Sequence, residues 1–226
     1  MAQEFKRAPR HLVEAFKAIS TCNISDALDK LGLPCGTYGI SPLYDVPRIA
    51  GTAITMKIVP YGSNNPSGHM GADPLDAAEP GDVLVFDNGG RLDQNCWGEI
   101  VTHAALQKGV VGVIVDGAAR DVDVTKEMGF PVFARGTVPL TARKRNVQGD
   151  YNCPVRIGGL QVNPGEIVVA DSNGIVVIPT DRAEEVLKVC KEMEVREAEI
   201  IRKIKAGVSF RDVDKASGYD TMLQQK

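Results

Sequence analysis

The segment Val115-Asp116-Gly117-Ala118-Ala119-Arg120-Asp121-Val122-Asp123 follows the apolar run 110–115 and sets a guanidinium beside a carboxylate. A strand that ended here in a glycine turn would deliver Arg120 and then Asp121 to its carboxyl end, where ligands bind in open α/β sheets. Arginine can grip a carboxylate through a bidentate fork, and aspartate can hold a hard divalent ion. Both roles suit a small anionic substrate. The competing reading is a salt-bridged surface loop, and the pair taken alone leaves both open.

Two other stretches could share that edge. Asp87-Asn88-Gly89-Gly90 is expected to form a loop after a strand over 82–86, with glycines that let the backbone approach a ligand closely. A helix opening near Trp97-Gly98-Glu99-Ile100-Val101 would turn free N–H groups outward, a seat for a carboxylate or an enolate oxygen. If the strands are neighbours, all three elements converge. Arg120 and the helix amides would then hold a small keto acid, with a divalent ion anchored on Asp121.

A single clear carboxylate ligand implies a metal that keeps most of its waters, Mg2+ or Mn2+ rather than zinc. Glu99 has two readings: it orients a water or shuttles a proton, or it is a favourable first-turn charge worth about 0.3–1 kcal/mol. His103 lies four residues on, either as half of a metal pair with Glu99 or, the preferred reading, as a partly buried histidine. His69 either lines a substrate channel or sits on the surface. Trp97, the only tryptophan, is expected to pack beside the site.

These residues need a frame. Leu12, Val13, Phe16 and Ile19 have helical spacing over 10–20, and a second helix is expected from about 25 to 31, stopping at Gly32. Thr and Lys alternate with apolar residues in a strand over 51–59. The stretch 60–74 reads as a long loop, a length that is often functional. A helix over 96–108 closed by Gly109, between strands 82–86 and 110–115, implies a right-handed crossover and a parallel pair. A short strand is expected at 131–135. From Cys153 onward the pattern is β, with Asn173-Gly174 marking a hairpin between 168–170 and 175–178. Residues 181–206 form a highly charged helix stopped by Gly207, expected to face solvent or a neighbouring subunit rather than its own core.

Composition narrows the classes. The chain has 226 residues, 43% hydrophobic and 24% charged, as in a globular protein with a proper core. A net charge of −3 supplies no basic face for nucleic acid. No window approaches the roughly 18 apolar residues of a membrane span. The first residues have no apolar stretch of the secretory kind. Cys22, Cys35, Cys96, Cys153 and Cys190 are odd in number and scattered without a C-x-x-C pair, as expected for reduced thiols in a cytoplasmic protein.

Several motifs, in order, resemble one family. Ser25-Asp26-Ala27-Leu28, Pro80-Gly81-Asp82-Val83-Leu84-Val85, Asp87-Asn88-Gly89-Gly90, Trp97-Gly98-Glu99, the 115–121 segment and Gly129-Phe130-Pro131-Val132-Phe133-Ala134-Arg135-Gly136 are similar to those of the RraA-like, class II pyruvate aldolases. The resemblance covers about 10–207 and implies a single domain over 1–226. The implied fold is a swivelling β/β/α domain, a mixed sheet core with N- and C-terminal helices, assembled as a homotrimer or homohexamer.

The resemblance also implies roles. Gly98, Glu99, Ile100, Val101 and Arg120 would bind the pyruvate moiety, with Arg120, Glu99 and Asp121 catalytic and Asp121 carrying Mg2+ or Mn2+. An acidic residue from a neighbouring C-terminal helix, Glu194 or Glu197, would complete the site. One position departs from the family pattern: Val124 stands where these aldolases often carry an acidic residue, with Asp123 one residue away. The implied activity is retro-aldol cleavage of 4-hydroxy-2-oxo acids to pyruvate, with oxaloacetate decarboxylation through the same enolate. Some family members instead bind and inhibit ribonuclease E, which makes a non-catalytic regulator the alternative. A methyltransferase would need a G-x-G loop after the first strand, and none is present.

Overall fold

The computed structural model describes residues 5–62 and 69–218. In chain order, helices α1 (Arg10–Lys17) and α2 (Thr21–Lys30) precede strands β1 (Ser41–Pro42) and β2 (Ile49–Pro60). Helix α3 (Ala72–Ala77), β3 (Asp82–Trp97), α4 (Glu99–Lys108), β4 (Gly112–Ala119), α5 (Val122–Glu127) and β5 (Val132–Thr137) then alternate. Strands β6 (Asn146–Tyr151), β7 (Val155–Ile157), β8 (Leu160–Val162), β9 (Ile167–Asp171) and β10 (Gly174–Ile178) follow, before α6 (Ala183–Lys205) and α7 (Phe210–Ser217).

The sheet is mixed, in the order β1-β5-β4-β3-β2-β9-β10, with β6 also paired to β2. Strands β2, β3, β4 and β5 run parallel, and β1, β6, β9 and β10 join antiparallel. Both faces of the parallel strands are covered. Phe86, Trp97 and Phe130 anchor an apolar layer that includes Leu75 of α3 and Ala105 of α4. Across the sheet, Ile157 and Val162 of the β7–β8 hairpin pack on Val83, Ile114 and Phe133. A third cluster joins α1, α2 and α6 to Ile167, Val169, Val176 and Ile178.

This double cover explains why β4 is buried at all eight positions and why the alternation expected at 51–59 has no solvated face before Lys57. Thr55 is fully buried in β2, and its hydroxyl donates to the Cys153 carbonyl at 2.6 Å. Other departures are local. Helix α2 starts at Thr21 because the Ser20 side chain accepts from the Asn23 N–H at 3.2 Å, an N-cap four residues ahead of the expected start. The β9–β10 hairpin forms, but Asp171 pairs with Gly174, so Ser172 and Asn173 make the tip. Helix α6 is not merely a solvated or subunit-facing helix. Ala183, Val186, Cys190, Met193 and Ile200 are buried on one face, while the charged residues and Val195, Ile201 and Ile204 are on its outer side. No described helix is long and apolar enough to cross a membrane.

Asp171 ties the hairpin to the first turn of α2. Its carboxylate accepts from the Thr21 N–H at 3.0 Å, the Thr21 hydroxyl at 2.7 Å and the Asn173 N–H at 2.9 Å, with Arg48 Nε at 3.3 Å. Burial alone would raise its pKa, but the Thr21 and Asn173 hydrogen bonds outweigh burial and hold it below 3.8. A carboxylate depressed in this way stabilises the fold above its unfolded pKa and loses that contribution as pH falls through its folded value. Asp171→Asn is therefore expected to cost about 1–3 kcal/mol at neutral pH. Thermal melts followed by circular dichroism should show the gap from the unmutated protein narrowing as pH drops below the ordinary carboxylate range.

Candidate active site

Strands β3 and β4 stay paired to their ends, with Trp97 opposite Ala119. The residues that leave the two strands therefore meet. The Arg120 N–H donates to the Trp97 carbonyl at 3.0 Å, and the Glu99 N–H donates to Asp121 Oδ2 at 3.0 Å. Asp121 adopts φ 56°, a left-handed conformation uncommon outside glycine, as it leads into α5. Gly98 is extended, so its backbone would accept any residue, but a Cβ there would lie 2.6 Å from Asp121 Oδ2 and 3.3 Å from Arg120 Cγ. Close approach, not conformation, requires the glycine.

Trp97 forms the floor. Its indole N–H donates to the Thr102 hydroxyl at 2.8 Å, and that hydroxyl donates to the Gly98 carbonyl at 3.0 Å. The ring stacks on Phe130 at 5.8 Å and meets the edge of Phe86 at 5.6 Å. The junction of β3 and α4 is thus held by packing and by hydrogen bonds at once.

Above it opens a cavity of about 420 Å3 lined by Gly98, Glu99, Ile100, Val101, Arg120 and Asp121 on one side. Among the described residues, the Ile100 and Val101 N–H groups meet no acceptor, so the first turn of α4 presents two free donors. Arg120 Nε lies 3.4 Å from Asp121 Oδ2 but is buried without a hydrogen-bond partner among those residues, so its charge is balanced while a donor is left over. Two amides and a guanidinium around one cavity form an anion-binding end.

Asp121 is the candidate metal ligand at this end. Oδ2 is engaged by the Glu99 N–H, while Oδ1 accepts no hydrogen bond among the described residues. Among the described residues no group of three or more His, Cys, Asp or Glu could hold an ion by itself. A donor set of one free carboxylate oxygen fits a hydrated Mg2+ or Mn2+ that substrate oxygens help to ligate, and does not fit zinc.

Thr141, Arg143, Lys144 and Asn146 also line this cavity, with Tyr61 and His69. The consecutive Arg143-Lys144-Arg145 was the available sequence signal, but nothing in its spacing placed it in the same cavity as Arg120. His69 is exposed and lines the cavity; its Nδ1 is 2.8 Å from the Met70 carbonyl, so Nδ1 carries the proton in that contact. Residues 63–68 of the expected 60–74 loop lie outside the described residues, and α3 already begins at Ala72.

Several expected neighbours lie elsewhere. Asp87-Asn88-Gly89-Gly90 is not a loop after a short strand but an irregular part of β3, and it lines a different cavity. Gly117 makes no turn; it lies inside β4, where a Cβ would come within 2.8 Å of the Asn88 side chain. His103 is exposed rather than partly buried and does not line the cavity. Val124 and Asp123 sit on α5 away from the lining. Glu194 and Glu197 lie on α6, and their expected reach is into another copy's cavity. Cys96 does line it, but burial pushes the thiol pKa far up and its Sγ donates to the Ala118 carbonyl at 3.4 Å, so it is no nucleophile.

Fold and cavity together define a mixed α/β protein with a cavity at the carboxyl end of two parallel strands, lined by free amides and a guanidinium. Residues 21–177 match the RraA-like family, described as Aldolase/RraA, and the chain belongs to that family. It is 35% identical over 182 residues, 80% of this chain and 83% of the relative, to a Halalkalibacterium halodurans protein named "Putative 4-hydroxy-4-methyl-2-oxoglutarate aldolase". It is 33% identical to Protein DlpA of Legionella pneumophila over 92% of this chain, yet the match spans only 35% of that longer protein. The crystal structure of Streptomyces coelicolor RraAS2, described as an unusual member of the RNase ES inhibitor RraA family, superposes with a TM-score of 0.78 at 28% identity. That match covers 86% of this chain and 98% of the other.

Two substitutions test this local physics. Gly98→Ala forces its Cβ against Asp121 and Arg120, and is expected to lose about 1–3 kcal/mol of stability, read as a lower urea midpoint. Glu197 is pushed above 4.5 by burial and by the Asp26 charge. A raised carboxyl pKa means that the ionised form opposes folding above the folded pKa, and that this penalty vanishes below the unfolded one. Glu197→Gln should therefore raise the melting temperature at neutral pH and leave it unchanged in acid.

Proposed function

We propose that the chain is a divalent-metal-dependent lyase that cleaves 4-hydroxy-2-oxo acids to pyruvate, and that it also decarboxylates oxaloacetate. The observation that supports this most is the single cavity that gathers Ile100 and Val101, whose N–H groups are free, with Arg120, Arg143 and Lys144. A substrate with two carboxylates, such as 4-hydroxy-4-methyl-2-oxoglutarate, matches a cavity with several anion-binding groups. The aldolase name of the Halalkalibacterium halodurans relative supports the same reading.

In this mechanism the 2-oxo acid carboxylate accepts from the free Ile100 and Val101 N–H groups, and the Arg120 guanidinium donates to the 2-oxo oxygen. Arg143 and Lys144 take the distal carboxylate and so place C4 near Glu99. Glu99, through a water, removes the C4 hydroxyl proton. The C3–C4 electron pair moves toward the 2-oxo carbon, a carbonyl forms at C4, and Arg120 meets the enolate oxygen as charge develops there. The carbonyl product leaves, and a proton returned to C3 completes pyruvate. Oxaloacetate loses carbon dioxide across the same bond and reaches the same enolate. A Mg2+ or Mn2+ ion held by Asp121 supplies Lewis-acid polarisation of the 2-oxo acid when bound.

Assembly as a homotrimer or homohexamer belongs to the same proposal, with the α6 face that carries Glu194 or Glu197 meeting the cavity of another copy. The second reading, a regulator that binds a ribonuclease or another protein, draws on the likeness to RraAS2. Turnover separates the two. Pyruvate release from both substrates, measured through lactate dehydrogenase, is expected to need the metal and to stop with chelator. Arg120→Lys, which loses the planar fork, should lower kcat/KM by about 100-fold or more, on the scale of removing one oxyanion donor. Asp121→Ala should abolish stimulation by the ion. Activity that survives chelator or Asp121→Ala would sink the metal mechanism, and no turnover of either substrate would favour the regulator.

A further inference from the structure

The 87–90 stretch finds its use at a second cavity. Where β2, β3, β4 and β5 end their regular parallel pairing, Lys57 is opposite Asp87 and Asp87 is opposite Asp116. Arg135 continues the row, one residue past the Ala134 that pairs with Val115. Over this row opens a cavity of about 580 Å3, lined also by Arg91 and Arg156. It sits at the carboxyl ends of four parallel strands, a preferred ligand position in α/β sheets.

The two carboxylates are already spent inside the protein. Asp87 accepts from the Gly89 N–H at 2.9 Å and the Arg156 N–H at 3.1 Å. Asp116 accepts from the Gly158 N–H at 3.0 Å and pairs with Arg135. With their oxygens so engaged they do not invite a cation. Asp116 holds Arg135 in place, and glycine backbone flanks it: a Cβ at Gly39 would fall 2.4 Å from Arg135 Nη1, and one at Gly90 3.4 Å from its Nε. Arg91 reaches the exposed Asp93 at 3.5 Å. Among the described residues, the exposed Lys57 and Arg156 side chains make no ion pair. Four cationic side chains thus face two internally satisfied carboxylates.

From this we infer a second ligand site, separate from the Arg120 cavity, that binds a small polyanion: a phosphate ester or pyrophosphate, or a di- or tricarboxylate. The preorganised Arg135 offers fork geometry for either oxyanion, while Lys57 and Arg156 add unpaired charge. The inference does not depend on the lyase proposal.

Calorimetric titration of the full chain with pyrophosphate and with citrate tests it and separates the two sources. At least one anion is expected to bind, more weakly as salt rises. A Lys57→Glu, Arg156→Glu double variant changes only exposed side chains, and circular dichroism checks that it folds. It is expected to weaken binding by at least about tenfold, roughly 1.4 kcal/mol, while Arg120→Ala leaves binding within about twofold. Tighter pyrophosphate binding would assign the site to phosphorylated ligands, and tighter citrate binding to carboxylates. Binding of neither anion would overturn the inference. So would binding that Arg120→Ala removes, or binding that the folded double variant retains.

Discussion

The hydrogen bond from the Glu99 N–H to Asp121 Oδ2 joins the exits of two parallel strands, and the Arg120 cavity depends on it. It forms only because β3 and β4 remain in register to Trp97 and Ala119, although β3 bulges repeatedly on the way. Those bulges absorb the extra residues of the longer strand without separating the pair. Asp121 can then turn left-handed and reach back to the first turn of α4, and Gly98 leaves it room. The contact aims Arg120 and the free α4 amides at one volume. Replacing it by water would leave a donor at the start of α4 and a carboxylate both seeking partners in a half-buried place.

The same irregularity in β3 divides the carboxyl side of the sheet into two levels. Regular pairing stops at Lys57, Asp87 and Asp116, and there the Arg135 cavity opens. The two strands that continue, β3 and β4, carry the second level outward to Trp97 and Ala119, where the other cavity lies. Buried aspartates at the first level are neutralised internally by backbone N–H groups and by Arg135. Beneath the second level the Trp97 indole, Phe86 and Phe130 fill the space, so the Arg120 junction rests on a rigid apolar floor. Stability and site geometry share these residues.

What could be read from the chain followed the range of the forces involved. Helical spacing at Leu12, Val13 and Phe16, the glycine stop at Gly109 and the strand–helix–strand order over 82–115 are local signals, and each appears in the fold. Errors arose where a local signal met a distant partner. Thr55 suggested a half-exposed strand, but the 153–162 segment covers that face and accepts the Thr55 hydroxyl. Gly117 suggested a turn, but Asn88 needs the space that a Cβ would occupy. The charges of α6 suggested exposure, while its apolar positions found α1, α2 and the β9–β10 sheet.

The sequence by itself determined the parallel frame, the family and the adjacency of Arg120 to Asp121, because these rest on chain neighbours, periodicity and motif order. It also placed Gly98-Glu99 at a helix start, since an exposed first turn follows from the helix that begins there. Only the tertiary structure decided that Arg143 and Lys144 share a cavity with that helix start and that Asp87 belongs with Lys57, Asp116 and Arg135 in another. Those meetings depend on strand register and on where β3 bulges. Both are set by close packing between distant segments, which no single stretch of the chain encodes.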